Sequence, residues 1–369
     1  MKKLVADRMS LIDASGIRKV FALAADLKDP VNFSIGQPDF DVPEALKREA
    51  IKAIEAGFNR YSQTAGEKDL LDRISAQTTA EFGWKNPSVL VASGVSGGLL
   101  LAFLALVNPG DEVIVPDPYF VMYKHLVRLL GGRPVFVDSY PDFRLPVDKI
   151  AAAITDKTKM IILNSPANPT GIVYSAAEVE ALAKVAAQKN VLVLTDEIYE
   201  TFSYDGPATS IAKYYENVLV MRGFSKSHAM TGWRLAYVAA PAALRPVIEE
   251  MLKIQQYTFV CAPTPFQKAA VAAMDYDVSD LVKGYVRKRD LLYNGLKGKF
   301  ELAKPQGAFY AFVKVPSGTG SDFVKRAIQN NLLVIPGNVF SERDTHFRIS
   351  FATTDEKIRQ GVEILCRMA

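Results

Sequence analysis

At 369 residues the chain exceeds one ordinary hydrophobic core, which implies two domains or one elaborated one. Its 49% hydrophobic and 23% charged residues are the balance of a soluble globular protein and exclude a disordered one. Basic and acidic residues number 44 and 40, and a net charge of +4 so evenly mixed argues against nucleic acid or an anionic membrane as partner.

The start, Met1-Lys2-Lys3-Leu4-Val5-Ala6-Asp7-Arg8, has the basic flank of an export signal but no apolar segment behind it, so the expected location is cytoplasmic. Residues 1–45 lack a strand–helix rhythm; Gly36-Gln37-Pro38 within them reads as a turn. The uncharged stretch from Asn86 to Gly110 is long enough to span a bilayer, but Ser93-Gly94-Val95-Ser96-Gly97-Gly98 would interrupt a spanning helix. A buried strand, a Gly-rich loop and a core helix are expected there instead.

From Val89 onwards, short β-branched runs alternate with helical stretches. Val89–Ala92, Val113–Val115, Val135–Val137, Met160–Leu163, Val191–Leu194, Val218–Met221 and Leu235–Ala239 read as strands. Between them Val179, Leu182, Ala183 and Ala186 recur at helical spacing. The alternation predicts an α/β fold whose mainly parallel sheet is sandwiched by helices. A long helical pattern follows from Pro241 to Gln256. Near Tyr276 the composition changes to longer helices and then to a strand pair around Gly307–Val313, which marks a smaller α+β layer. Residues 46–276 are thus expected to form the large domain, and 1–45 with 277–369 a small discontinuous one. Arg287-Lys288-Arg289 reads as a solvated helix face. Cys261 and Cys366 are too few and too far apart for a disulfide framework or a Cys-rich metal site, which fits a reducing compartment. His125, His228 and His346 lack metal-ligand spacing.

Chemistry-bearing motifs sit where the predicted strands end, the edge at which open α/β sheets bind ligands. Ser93–Gly98 opens a helix and offers free N–H groups and a hydroxyl to an anion, or serves as a close-packing glycine turn. It is not a G-x-G-x-x-G dinucleotide fingerprint, which disfavours a nicotinamide oxidoreductase. Asn164-Ser165-Pro166-Ala167-Asn168-Pro169-Thr170-Gly171 and Asp196-Glu197-Ile198-Tyr199 follow successive strands; alone they read as a turn and a helix cap. Gly223-Phe224-Ser225-Lys226 follows another strand and precedes Gly232-Trp233-Arg234. A lysine between small residues at a sheet mouth can be desolvated and kept partly neutral, as a nucleophilic amine requires, although most lysines are simply solvated.

Taken in order, Gly36-Gln37-Pro38-Asp39-Phe40, Tyr61 with Gly66, Ser93–Gly98, Asn168–Gly171, Asp196–Tyr199, Ser225-Lys226 with Gly232-Trp233-Arg234, and Phe347-Arg348-Ile349-Ser350 resemble the class I and II aminotransferases. These belong to the fold type I group of pyridoxal-phosphate enzymes, whose sheet is mixed and seven-stranded. The resemblance implies that Lys226 holds pyridoxal 5'-phosphate as an imine and moves the substrate proton. By the same resemblance Asp196 pairs with the pyridine nitrogen, Asn168 and Tyr199 meet the ring's 3-oxygen, and Phe120 stacks on the ring. The phosphate is expected at the N–H groups of Val95 and Ser96, with the side chains of Ser96, Ser225 and Arg234 around it. Tyr61 is expected to reach it from the neighbouring subunit of a homodimer. Arg348 would clamp the substrate α-carboxylate beside Gly36 and Asn168, and Ile17 would border the substrate side chain. Without the resemblance, Arg348 also reads as an outward strand-edge arginine and Ile17 as core. Where many family members carry a phosphate-binding serine three residues before the lysine, this chain has Gly223.

The implied reaction is ping-pong transfer of an amino group between an L-amino acid and a 2-oxo acid, by family habit 2-oxoglutarate, without a metal. β-Elimination from a sulfur amino acid shares every residue named and is the alternative on this scaffold. A non-enzymatic ligand-binding regulator is disfavoured, because no DNA-binding domain fits before Gly36.

Overall fold

The computed structural model describes residues 4–14, 16, 20 and 27–369. Its central sheet has seven strands: β2 (Ser88–Ser93), β3 (Glu112–Asp117), β4 (Arg133–Asp138), β5 (Thr158–Asn164), β6 (Leu192–Asp196), β7 (Val218–Gly223) and β8 (Leu235–Ala240), following a short β1 (Val31–Asn32). Their order across the sheet is β2-β8-β7-β6-β5-β3-β4. Neighbours pair in parallel except β8, which is antiparallel to both β7 and β2. Strands β3, β6 and β8 are buried along their whole length, as expected of a sheet covered by helices on both faces.

Two apolar cores lie on the two faces of this sheet. One surrounds the helix Gly94–Leu106, whose Leu99, Leu101, Ala102 and Phe103 are fully buried. The expected Gly-rich loop does not exist as a loop: the helix starts directly at Gly94, one residue after β2. Its glycines permit close approach, since a Cβ on Gly98 would stand 3.0 Å from Val238 Cγ2 on β8. On the other face, the helix Ala176–Lys189 begins with a capping box between Ser175 and Glu178 and buries the four apolar residues read from the sequence.

A second group of strands follows: β9 (Tyr310–Lys314), β10 (Leu332–Leu333), β11 (Ile335–Pro336) and β12 (His346–Ser350). β12 pairs antiparallel with β9 and β11, and β1 runs parallel to β10. Phe33, just after β1, donates its N–H to Leu333 and accepts one from Ser350, which ties the early segment to this layer. The Arg287–Arg289 run departs from its sequence reading, because only Arg287 faces water. Lys288 pairs with Asp39, and Arg289 is buried over the Tyr204 ring beside Asp205 and Asp290. Long aliphatic stems allow such residues to cover apolar surface while their charges find partners.

Gly361, in the helix Asp355–Met368, lies against Phe33; an added Cβ would come within 2.2 Å of the ring. Gly361→Ala gains about 1 kcal/mol of helix propensity but overpacks a fully buried aromatic at a cost of about 1–3 kcal/mol. At so close an approach the clash wins, and thermal unfolding of the variant should show a lower midpoint than wild type.

Candidate active site

The carboxyl ends of β5, β6 and β7 open on a cavity of about 280 Å³. β6 delivers Asp196 to its floor, where the carboxylate is buried yet hydrogen-bonded. Oδ2 accepts from the Tyr123 hydroxyl at 2.7 Å and Oδ1 from the Ile198 N–H at 3.2 Å. Burial pushes this carboxyl up to about 6, while the hydrogen bonds and the nearby Lys226 favour the ionised form. Asp196 therefore starts a turn and does not cap a helix.

β7 runs directly into one helical turn, Phe224–Ser227, which carries Lys226. Its Nζ donates to the Gly36 carbonyl at 2.6 Å and lies 5.8 Å from the Tyr199 ring centroid. Burial, reinforced by the Arg348 and Arg234 cations, pulls the amine down to about 8, with Asp196 acting in the opposite sense. At neutral pH an appreciable share of the amine is thus neutral and nucleophilic.

At one end of the cavity Arg234, at φ +56°, donates to the Thr231 carbonyl at 2.9 Å and to the Ser93 carbonyl at 3.4 Å. A Cβ on Gly94 would meet its Nη2 at 2.3 Å, so only glycine, here at φ +69°, lets the guanidinium reach the start of the helix Gly94–Leu106. First-turn N–H groups such as those of Val95 and Ser96 have no carbonyl partner within a helix, and with Arg234 they form a cradle for an anion.

At the other end β12 presents Arg348, opposite Phe312 on β9 and Ile335 on β11. The side chain is only 1% exposed, which excludes an outward strand-edge arginine. Its guanidinium lies between the rings of Tyr310 and Phe340, 4.6 and 4.4 Å from their centroids. Nη1 donates to Asn168 Oδ1 at 3.1 Å and Nη2 to the Ser34 carbonyl at 2.9 Å, while Nε is buried and has no hydrogen-bond partner among the described residues. Such a fork can clamp a carboxylate bidentately.

Gly36, Phe120, Tyr199 and Ser225 line the same cavity, as do Val95, Ser96 and Asn168. Tyr61 does not; it stands outside, 82% exposed. Ile17 lies outside the described residues. Sequence reasoning missed Tyr123, the partner of Asp196, and Tyr310, whose hydroxyl is 2.9 Å from that of Tyr199. Asn164, which the sequence places at the head of a motif without a role of its own, donates to the Asp196 carbonyl at 2.8 Å and accepts from the Asn168 N–H at 3.0 Å. The signal available for these residues was position: Tyr123 stands three residues after Phe120, and Asn164 directly follows a predicted strand.

Below the floor, Arg222 on β7 is buried among carboxylates. It donates through Nη1 and Nη2 to Glu81 at 2.6 and 2.8 Å and through Nε to Glu197 at 2.9 Å, with Glu200 2.6 Å from Nε. Glu197 also accepts from Thr195 and Ser210.

Comparison with known proteins agrees with this architecture. Residues 28–365 match the family described as aminotransferase class I and II. A probable aspartate aminotransferase of Methanocaldococcus jannaschii is 37% identical, over 98% of this chain and 99% of that protein. Aromatic-amino-acid aminotransferase 2 of Thermococcus litoralis is 34% identical over 97% and 96%. The Thermus thermophilus aspartate aminotransferase structure with maleate superposes with a TM-score of 0.93 at 32% identity, covering both chains completely. The chain belongs to the class I and II aminotransferase family, and its fold is that family's.

The departure at Gly223 has a steric cause. It pairs with Ala236 across β7 and β8, and an added Cβ would stand 2.6 Å from Ala236 Cβ and 3.0 Å from the Leu235 carbonyl. Gly223→Ser should therefore overpack the sheet, lowering stability by about 1–3 kcal/mol without tightening the anion cradle. Thermal unfolding and titration with pyridoxal phosphate would read the two effects separately.

Proposed function

We propose that this cavity uses pyridoxal 5'-phosphate held on Lys226 to exchange an amino group between an L-amino acid and a 2-oxo acid, with 2-oxoglutarate as acceptor, in a ping-pong reaction. The observation that carries the proposal is a buried lysine of lowered basicity standing between an anion cradle at Arg234 and a buried guanidinium fork at Arg348. When bound, the cofactor supplies an electron sink for the negative charge that develops at substrate Cα.

The protein's own residues have these roles in the proposal. Val95 and Ser96 N–H groups, with Ser96, Ser225 and Arg234 side chains, hold the phosphate. Asp196, kept hydrogen-bonded by Tyr123 and Ile198, supplies the negative charge that holds a proton on the ring nitrogen. Asn168 and Tyr199 donate to the ring's 3-oxygen, and Phe120 covers a ring face. Arg348, with Asn168 and Gly36, orients donor and acceptor by the α-carboxylate they share. Once the substrate's amino group has displaced Lys226 from the cofactor, the freed amine would take the proton from substrate Cα and return it to C4′. The proposal includes a homodimer in which Tyr61 reaches the neighbouring subunit's phosphate, and the exposure of Tyr61 and Tyr257 supports a covering partner. It also assigns residues 46–276 to the large domain and 1–45 with 277–369 to the small one, in a cytoplasmic protein.

Capture of the cofactor by apoprotein should depend on pH through Lys226. The neutral amine attacks, so with its pKa near 8 the rate should rise about tenfold per unit below pH 7 and level off above pH 8. An ordinary lysine would keep gaining to beyond pH 10. Stopped-flow absorbance would trace the curve, and a rate still climbing at pH 9.5 would refute the assignment. Lys226→Ala should fold but form no borohydride-reducible adduct.

Arg348→Ala should weaken both half-reactions by about 2–5 kcal/mol, tens- to thousands-fold in kcat/KM, while the cofactor still binds. Arg348→Lys should recover little, because an ammonium cannot reproduce the paired bonds. Single-turnover spectra with a panel of amino acids, and separately with 2-oxoglutarate, would test each direction. An effect on one half-reaction alone would move the shared carboxylate site elsewhere.

A further inference from the structure

Tyr310 has no role in the scheme above, yet it touches both ends of the substrate side of the cavity. It is buried, and its hydroxyl is 2.9 Å from the equally buried hydroxyl of Tyr199. The Arg348 guanidinium lies over its ring at 4.6 Å. Its hydroxyl also occupies the space beside Gly36, where a Cβ would approach within 2.7 Å. Tyr310 is therefore wedged between the carboxylate clamp and the hydroxyl assigned to the cofactor.

Each phenol carries one proton to donate, so within the pair only one can donate to the other. A cation over a ring face draws electron density from it and makes the O–H a better donor. Arg348 is close to Tyr310 and permanently charged. Lys226 is farther from the Tyr199 ring, at 5.8 Å, and burial has already weakened its hold on a proton. Tyr310 is thus the donor and Tyr199 the acceptor, which leaves the Tyr199 proton free for another oxygen. A hydroxyl that accepts a hydrogen bond in a low-dielectric site also donates more strongly.

We infer that Tyr310 is a positioning residue that donates to Tyr199 and thereby transmits the charge state of the Arg348 clamp to the hydroxyl facing the cofactor's ring oxygen. The inference rests on the role proposed for Tyr199. A carboxylate bound at Arg348 neutralises the cation above Tyr310, weakens both hydrogen bonds in the relay, and leaves more electron density on the ring oxygen. With the cofactor bound, Lys226's linkage to it would then retain its proton to higher pH when a carboxylate occupies Arg348.

The test is the pH midpoint of the visible absorbance of the reconstituted holoenzyme. Tyr310→Phe keeps the ring over Arg348 and removes only the hydroxyl; it should raise the midpoint by about half a pH unit. Tyr199→Phe should raise it further. The double variant should match Tyr199→Phe alone, because Tyr310 acts only through Tyr199. A wild-type midpoint in Tyr310→Phe beside a shifted Tyr199→Phe would overturn the inference, as would a Tyr310 effect persisting in full without the Tyr199 hydroxyl. An unshifted Tyr199→Phe would instead sink the role proposed for Tyr199, and the relay with it.

Discussion

The buried ion cluster at Arg222 is the constraint on which the cavity depends. One guanidinium, 3% exposed, faces three carboxylates, and the two on the loop after β6, Glu197 and Glu200, adjoin Asp196 and Tyr199 in sequence. The loop is thus gripped from below at the residues next to those that face the cavity. A buried cation deprived of its partners costs about 3–5 kcal/mol, so the loop cannot drift without exposing that penalty. Additional donors on Glu197 from Thr195 and Ser210 satisfy its remaining lone pairs, which turns a costly burial into a rigid support.

Above that support the same desolvation acts on Asp196 and Lys226 in opposite chemical senses. It raises the acid to about 6 and lowers the base to about 8, moving both towards neutrality. Neither shift is complete, because hydrogen bonds from Tyr123 and the Ile198 N–H hold back the acid, and the Asp196 carboxylate holds back the base. Groups poised near physiological pH and held by so few partners can exchange protons or partners at small cost, which is the condition for acid–base work.

Much of this was legible in the sequence because strand ends are. β5, β6 and β7 were read within a residue or two, and the side chains that follow them converge through the parallel geometry of the sheet, which periodicity reports. Arg348 was found only through its motif. Its burial depends on Tyr310 and Phe340, and no local pattern distinguishes a strand-edge arginine from one enclosed by rings. Tyr123 and Tyr310 escaped for the same reason: their partners lie 73 and 111 residues away. The basic run at 287–289 misled because a charge pattern on one helix carries no information about Asp39 or Tyr204, which lie elsewhere in the chain.

Phe340 serves two masters. Its ring covers the Arg348 guanidinium, and its carbonyl accepts the N–H of Tyr119 at 2.8 Å, next to the cavity residue Phe120. The next residues extend the seam: Ser341 meets the Tyr140 hydroxyl at 2.9 Å, and the Glu342 N–H binds Asp117 at 3.0 Å. The two sheets therefore share one rail along residues 340–342, and it fixes the spacing between the arginine and the aromatic face opposite. For anyone redesigning substrate range, the practical lesson is one of order. Side chains that only line the cavity, with no place in either core, can be exchanged first, whereas a loop graft that shifts the rail would detune the carboxylate clamp and the ring-facing wall in a single stroke.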